Sequence, residues 1–338
     1  MSSIKTTAVG SWPIPFGQRN TLKRFYAGEL SEALAYDALI AAARIAMDEQ
    51  IACGLNEISG GEVFAPDFVH HIAPRLSGVR AVKLRNPALG YAGVGQYEVI
   101  GPLGAPSGTG HAAAFRREKA LEPRLNKAAV PSPYTITMTF ADQTRLATHR
   151  EQLVAIVANE LSDLVTAGAT EVQLDAPVEA IAAIQSSAAS ADSLAKTLAE
   201  WIAAAFAEVP TSVRRSVHFC LGDVSRQPAT EQQNLRALLP LIQALEGKVD
   251  RALLECSYVG QWREHALLGD IPASIEVVAG IADVKSAPQS SDELRRKIDA
   301  LVTTVGTERL LLSTSCGCGR MPHDNAIRLN RNLVKAAT

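Results

Sequence analysis

The sequence predicts an α/β protein built as a single (β/α)8 barrel of the TIM type, and three observations support this fold class. Short apolar or β-branched runs recur along the chain, and most are followed by an alanine-rich helical pattern. Eight such runs alternate with helical segments, which is the order of elements in a parallel barrel. The length of 338 residues, with 47% hydrophobic and 20% charged residues, suits one barrel with insertions.

The predicted strands are short and end in polar, glycine or proline residues. In chain order they are Lys5–Val9, Leu55–Ile58, Thr135–Met138, Glu171–Leu174, Ser216–Cys220, Arg251–Leu254, Ile275–Ile281 and Leu310–Ser313. The predicted helices are Leu30–Cys53, Asp142–Ala167, Ser190–Ala207, Thr230–Leu245, Ser291–Thr304 and His323–Ala336. Leu153, Val157 and Leu161 recur at the spacing of one helical face, so the second of these helices is expected to pack on the sheet.

Residues from about 72 to 132, between the second and third predicted strands, depart from this alternation. Ala81–Leu84 and Gln96–Ile100 have extended patterns, and Pro87, Gly90, Gly93 and Gly95 between them favour a turn. We therefore predict one domain over residues 1–338 with a β-hairpin and loop insertion at about 72–132.

Composition and charge restrict the classes of function. Lys and Arg total 33 against 35 Asp and Glu, and no basic run points to a nucleic-acid partner. Apolar stretches stay below the ~20 residues that span a bilayer, and the N-terminus is short and polar, so we predict a cytoplasmic protein without a membrane partner. Five cysteines, an odd number, favour free thiols over a disulfide framework.

Several chemically reactive side chains follow the predicted strands, at the barrel end where active sites lie. His218 and Cys220 are two residues apart on one strand, so both can point at the same ion. Cys316 after strand eight and Glu255 at the end of strand six complete a donor set that suits Zn²⁺ better than Mg²⁺ or Ca²⁺. The alternative at this point is that the thiols and the imidazole are ordinary buried core groups.

These residues resemble the zinc site of cobalamin-independent methionine synthase, specifically its catalytic barrel. The resemblance covers nearly the whole chain but only the catalytic half of the long two-barrel enzymes. The segments that carry it are Thr6–Pro13, Gly54–Glu62, Val172–Pro177, His218–Cys220, Val284–Ser286 and Leu311–Cys316. It implies a zinc-dependent methyltransferase that transfers a methyl group to the thiol of homocysteine and forms methionine.

The resemblance also implies roles for single residues. The implied zinc ligands are His218, Cys220, Glu255 and Cys316. The implied substrate contacts are Gly10 and Ser11 for the carboxylate of the amino-acid thiol, and Glu62 and Asp175 for its ammonium; the predicted catalytic residues are Asp175 and Lys285. Two carboxylates beside an amine suit a cationic group, which agrees with this assignment.

Two departures from the family pattern leave points open. Lys285 stands where the long folate-using enzymes resemble one another in carrying a histidine, thought to protonate the leaving folate nitrogen. The donor stays open between methyltetrahydrofolate, a methyl corrinoid and another methyl compound. Because a lysine is a poorer acid at neutral pH, we expect methylcobalamin or a corrinoid protein partner to be a better donor than methyltetrahydrofolate. Cys318, two residues after Cys316, is an alternative zinc ligand.

Two other functions compete with methyl transfer. Similar zinc barrels open epoxides with coenzyme M, and Lys285 would then pair with the sulfonate, although Glu62 and Asp175 would repel it. The other alternative is a metal-free binding barrel without turnover, which a metal assay would distinguish.

Overall fold

Parallel strands in chain order form the centre of the fold. In the computed structural model, which describes residues 3–65, 68–83, 96–142, 146–223 and 226–338, a hairpin of two antiparallel strands precedes a six-stranded parallel sheet. The strands of the described residues are β1 (Ser77–Lys83), β2 (Gln96–Gly104), β3 (Lys127–Pro131), β4 (Glu171–Asp175), β5 (Arg214–Phe219), β6 (Arg251–Glu255), β7 (Glu276–Ala282) and β8 (Leu310–Thr314). Strands β4, β6 and β8 are buried along their whole length, as parallel strands covered on both faces are.

Two short extended segments, one around Thr6 and Thr7 and a second around Glu57, take the first two strand positions of the barrel. Thr6 pairs in parallel with Leu312 of β8, and Thr7 pairs in parallel with Glu57. The backbone N–H groups of Thr7 and Ala8 donate to the carbonyl groups of Leu312 and Glu57, each at 2.9 Å. The first segment therefore lies between the last strand and the second segment, as strand one does in a (β/α)8 barrel. The predicted fold class is confirmed.

Helices follow the strands and cover the outside of the sheet. Those of the described residues are α1 (Phe16–Tyr26), α2 (Glu32–Cys53), α3 (Phe68–Ile72), α4 (His111–Leu121), α5 (Pro133–Ile136), α6 (Arg150–Thr166), α7 (Pro177–Gln185), α8 (Ala191–Ala205), α9 (Leu239–Ala244), α10 (Val259–Arg263), α11 (Ser291–Val305) and α12 (His323–Ala337). Leu153, Val157 and Leu161 of α6 are fully buried, as their spacing predicts. Within the described ranges, none of these helices combines the length and the apolar composition that a bilayer crossing requires.

The third predicted strand is wrong. Pro133–Ile136 is helix α5, and a 3-10 helix follows over Thr137–Thr139. Ser132 accepts a hydrogen bond from the Thr135 N–H at 3.0 Å, and Pro133 occupies the first turn. This N-cap and proline favour a helix start over the strand preference of the β-branched residues that follow. The barrel strand is β3, which lies inside the range predicted for the insertion.

The predicted hairpin is confirmed in its strands. In β1 and β2, Val79 pairs with Val99 and Arg80 with Glu98 in antiparallel register. The predicted first strand ended at Leu84, which lies outside the described residues together with the predicted turn at Pro87, Gly90, Gly93 and Gly95. The division of the chain into domains stays a prediction.

A buried ion network closes the amino-terminal end of the barrel. The side chain of Arg251, the first residue of β6, is 2% exposed. It contacts Glu57 at 2.7 Å, Glu171 at 2.9 Å and Glu276 at 3.0 Å. The candidate functional site lies at the opposite end of the barrel, at the carboxyl ends of the strands.

Candidate active site

Three predicted metal ligands converge at the carboxyl ends of β5 and β8. His218 lies near the end of β5, Cys220 follows that strand, and Cys316 comes two residues after β8. Their ligand atoms all lie within 4.8 Å of one another, and the two sulfur atoms are 3.9 Å apart. We call His218, Cys220 and Cys316 the ligand trio; in the described part of the chain it is the one group of three or more such side chains this close.

The ligand trio fits a zinc ion. Both ring nitrogens of His218 are buried and bond to no oxygen or nitrogen atom among the described residues, so the Cys316 thiol is the polar group left beside them. Buried polar atoms without partners are rare and costly, and a bound metal ion would use one of these nitrogens. One imidazole and two thiol groups form the donor set that zinc prefers over hard cations.

The fourth predicted ligand, Glu255, lies outside the ligand trio. Its Oε1 accepts a hydrogen bond from Lys285 Nζ at 2.6 Å, and its Oε2 accepts one from the Leu221 N–H at 2.8 Å. Burial alone would lower the pKa of Lys285, but the negative charge of Glu255 raises it above its ordinary value. Lys285, predicted to be catalytic, is therefore bound in a charged pair.

Cys318, the alternative ligand, is also outside the ligand trio. Its sulfur accepts a hydrogen bond from Asn330 Nδ2 at 3.5 Å and lies 3.9 Å from Thr314 Oγ1. Burial raises the pKa of this thiol to about 11. The geometry therefore favours Cys316 over Cys318 as the metal-facing thiol.

The two carboxylates predicted for the ammonium lie close enough to influence each other. Burial raises the pKa of Asp175 to about 6, although His218 and a hydrogen bond from Gln173 act in the opposite direction. Burial also raises the pKa of Glu62 well above its ordinary value, and Asp175 and Cys316 raise it further. A bound cation would favour the ionised form of both groups and offset the cost of burying their charge. Gln173, which donates to Asp175 at 2.7 Å, was not predicted as a positioning residue.

Gly10 and Ser11 lie beside Glu62 and the loop that carries Cys316. A Cβ atom on Gly10 would lie 2.1 Å from Glu62 Oε1, so glycine at this position leaves room for the Glu62 carboxylate. Ser11 accepts hydrogen bonds from the Cys318 N–H at its carbonyl, at 2.7 Å, and from the Gly319 N–H at its hydroxyl, at 3.3 Å. The loop that carries Cys316 is thereby attached to the segment predicted to bind the substrate carboxylate.

Glu62 adopts an uncommon backbone conformation, with φ at +58°. A non-glycine residue in the left-handed region is strained, and such strain is concentrated at functional sites. In this conformation the Glu62 carboxylate lies beside Gly10.

Glu118 of α4 is a further acidic residue of the site that the sequence analysis missed. It is 7% exposed and lines a cavity of about 40 Å³ together with Gly10, Ser59, Glu62 and Lys127. Burial raises its pKa to about 8. The residue lies on a charged helix within the range predicted for the insertion, where a glutamate normally faces solvent, so no sequence signal identified it.

Comparison with known proteins agrees with this geometry. Residues 4–338 match the family described as cobalamin-independent synthase, catalytic domain. A B12-independent methionine synthase from Shewanella sp. W3-18-1, in complex with selenomethionine, has a TM-score of 0.80 and 18% identity, with 99% of this chain and 97% of that chain covered. A methyltransferase from Methanosarcina mazei has a TM-score of 0.63 and 13% identity, with 100% of this chain and 94% of that chain covered.

Proposed function

The chain belongs to the family of the cobalamin-independent synthase catalytic domain, and we propose that it is a zinc-dependent methyltransferase that converts homocysteine to methionine. The observation that carries the proposal is the ligand trio, whose ligand atoms lie within 4.8 Å of one another and whose buried imidazole bonds to no oxygen or nitrogen atom among the described residues. Membership of this family makes the chain a methyltransferase. Zinc dependence, the site residues and the methyl donor are the parts that we propose.

The ligand trio would hold the zinc ion. When bound, zinc lowers the pKa of a coordinated thiol, so that the substrate is present as the nucleophilic thiolate at neutral pH. The thiolates of Cys220 and Cys316 would formally cancel the charge of the ion, so a homocysteine thiolate held at the site would keep excess negative charge. This favours attack on a methyl group.

The remaining residues position the amino-acid part of the thiol. Glu62 and Asp175 bind the ammonium, and the backbone around Gly10 and Ser11 binds the carboxylate. Binding both charged groups fixes the direction in which the sulfur points. Such positioning raises the rate, because the entropy cost of orienting the thiol is met when the substrate binds and not at the reaction step. A sulfonate thiol such as coenzyme M has no cation for the two acids, so epoxide opening fits this site less well.

The state of Lys285 bears on the choice of methyl donor. Lys285 is charged and paired with Glu255, so it supplies no ready proton for a leaving folate nitrogen. This favours a donor whose leaving group needs no proton, such as a methyl corrinoid. The family match gives no support to a corrinoid partner, since the family is described as cobalamin-independent. A direct comparison of donors is therefore part of the test.

The test measures methionine formed from homocysteine by zinc-loaded protein with methylcobalamin, monoglutamyl methyltetrahydrofolate or polyglutamyl methyltetrahydrofolate at equal concentration. We expect turnover with at least one donor. We also expect Cys220→Ser to lose zinc and to form methionine at least ~100-fold more slowly, because one residue of the ligand trio is missing. Cys53→Ser is the matched control: this buried cysteine ends α2 and lies outside the ligand trio, so zinc content and rate should persist.

Absence of methionine with every donor, in protein that holds one zinc ion per chain, would contradict the proposed reaction. Full zinc content in Cys220→Ser would contradict the proposed metal site.

A further inference from the structure

Glu118 is a buried carboxyl group beside the proposed ammonium site, and it has no partner of its own. The residue is 7% exposed and lines the same cavity as Gly10 and Glu62. Burial raises its pKa to about 8, and no hydrogen bond or cation of the described residues offsets this shift. Buried polar groups without partners are rare, and each requires an explanation. Glu118 is therefore a candidate for contact with a ligand.

The backbone makes room for this carboxyl group. A Cβ atom on Gly60 would overlap the carboxyl group of Glu118, just as one on Gly10 would overlap that of Glu62. Gly60 lies two residues before Glu62, so one segment of the chain borders both acids. Their shared cavity has a volume of about 40 Å³. Since a water molecule needs roughly 10–15 Å³, the cavity has room for a group the size of an ammonium.

Glu62 connects Glu118 to the predicted substrate site. Burial raises the pKa of Glu62, and the negative charges of Asp175 and Glu118 both raise it further. Glu62 is therefore within electrostatic reach of the other two acids. An ammonium bound at Glu62 has two further carboxyl groups in its neighbourhood.

Titratable groups surround α4 and the cavity. They are Tyr26 of α1, Glu32 of α2, Glu62, His111 of α4, Lys127 of β3 and Glu160 of α6. Glu160 accepts two backbone N–H groups at the start of α4, Glu32 pairs with a surface arginine, and the Tyr26 hydroxyl donates to a backbone carbonyl. These three side chains are bonded elsewhere and are not partners of Glu118.

The two basic side chains of the cavity do not compensate Glu118 either. Burial lowers the pKa of His111 to about 4, so its imidazole is uncharged at pH 7. The ammonium of Lys127 donates to Thr7 Oγ1 at 3.2 Å and to the Ala8 carbonyl. A cation for the Glu118 carboxylate therefore has to be supplied by a ligand.

We propose that Glu118 is a specificity-determining residue that releases its proton when the substrate binds and then accepts a hydrogen bond from the substrate ammonium, together with Glu62 and Asp175. The inference rests on the proposed function, since it takes an amino-acid thiol as the substrate. The proton passes to solvent, and the ammonium replaces it as the positive charge beside the carboxylate. An ammonium has three N–H donors, and the three acids supply an acceptor for each. The site thus selects thiols that carry a free α-ammonium group.

The test measures binding of L-methionine to the zinc-loaded protein by calorimetry, in buffers of different ionisation enthalpy. Methionine has the ammonium and the carboxylate of homocysteine but no thiol proton, so the released protons come from the protein. At pH 7 we expect Glu118→Gln to release about one proton fewer per bound methionine than wild type, because free Glu118 has a pKa of about 8.

The same titrations at several pH values give the dissociation constants. Rising pH makes Glu118 easier to ionise, so methionine should bind wild type more tightly as pH rises. Relative to Glu118→Gln, the dissociation constant of wild type should fall by about tenfold per unit between pH 6.5 and 7.5. A purely structural role of Glu118 would not produce this slope.

Two further variants and one further ligand serve as controls. Glu118→Asp keeps an ionisable group and should keep the proton release. Glu122→Gln changes an acid that follows α4 and is bonded to Arg124, so it should match wild type. The desamino analogue of methionine lacks the ammonium, so wild type and Glu118→Gln should bind it with affinities within about threefold of each other.

The outcomes distinguish this inference from the proposed function. If zinc-loaded wild type binds neither methionine nor homocysteine, both are overturned. If wild type binds them and Glu118→Gln releases as many protons with the same pH dependence, the role of Glu118 alone is overturned. The same holds if wild type releases as many protons with the desamino analogue as with methionine.

Discussion

Glu118 illustrates what the burial of one carboxyl group does to the site. The residue is 7% exposed and faces a small cavity shared with Glu62 and Gly10. Burial raises the pKa of both acids that share this cavity, that of Glu118 to about 8 and that of Glu62 well above its ordinary value. Glu118 is therefore mostly protonated at neutral pH, and a bound ammonium would favour the ionised form of Glu62 beside it.

The raised pKa of Glu118 predicts a specific pH dependence of stability. The folded protein keeps this proton up to about pH 8, whereas the unfolded chain releases it near 4.5. Wild-type stability should therefore fall as pH rises through this window, and Glu118→Gln should lack that loss. The advantage of the variant should grow by about 1.4 kcal/mol per pH unit between these values and level off above pH 8.

Urea unfolding at a series of pH values measures this slope. Glu122→Gln is the control, because this carboxyl follows the same helix and its pKa is lowered to about 2 by hydrogen bonds from Arg124. A stability difference for Glu118→Gln that does not change with pH would show that the carboxyl titrates normally.

At the scale of the element, the amino-terminal end of the barrel is held by a charge network. Arg251 of β6 contacts Glu171 of β4 and Glu276 of β7, which are the first residues of their strands, and it also contacts Glu57. Burial would raise the pKa of Glu57, but Arg251 holds it below its ordinary value. One arginine thus joins the starts of three strands and the second extended segment.

Arg251→Ala should destabilise the protein by about 3–5 kcal/mol, because it removes the buried cation beside Glu171, whose side chain is 5% exposed, and leaves it only the half-exposed Arg214. Arg214→Ala is the matched control: its side chain is 40% exposed and contacts the same Glu171, so the loss should stay near ~1 kcal/mol or less. The ion pair of Glu57 with Arg251 stabilises the fold above pH 4.5, the pKa of Glu57 in the unfolded chain, and this contribution disappears as the pH falls through the lower pKa of the folded protein. The difference in stability between Arg251→Ala and wild type should therefore shrink in acid. Equal losses for the two arginines in urea unfolding would refute the network.

The sequence predicted some elements well because their signal is local. Strands β4 to β8 coincide with apolar runs to within two residues at each end, since buried parallel strands read as continuous hydrophobic segments. Strand β3 contains Lys127 and two alanines, a composition without strand character, and its lysine points inward to Thr7 at 3.2 Å. Only the surrounding barrel explains why this segment is extended.

At the scale of the whole molecule, the site combines side chains that are far apart in the chain. The i and i+2 spacing of His218 and Cys220 and the position of Cys316 after the last predicted strand could be read from the sequence, and the resemblance to a family supported the same set. The Lys285–Glu255 pair and the approach of Glu118 could not be read, because each depends on contacts between side chains of different elements. The barrel brings these groups to one end, and the charge network lies at the other.

The central claim is that homocysteine binds through sulfur to a metal held by His218, Cys220 and Cys316. X-ray absorption at the zinc edge, recorded before and after addition of homocysteine, counts the sulfur ligands directly. We predict two sulfur ligands in the zinc-loaded protein and three with homocysteine bound, because the substrate thiolate joins the two cysteines. A sulfur count that stays the same when homocysteine is added would contradict it.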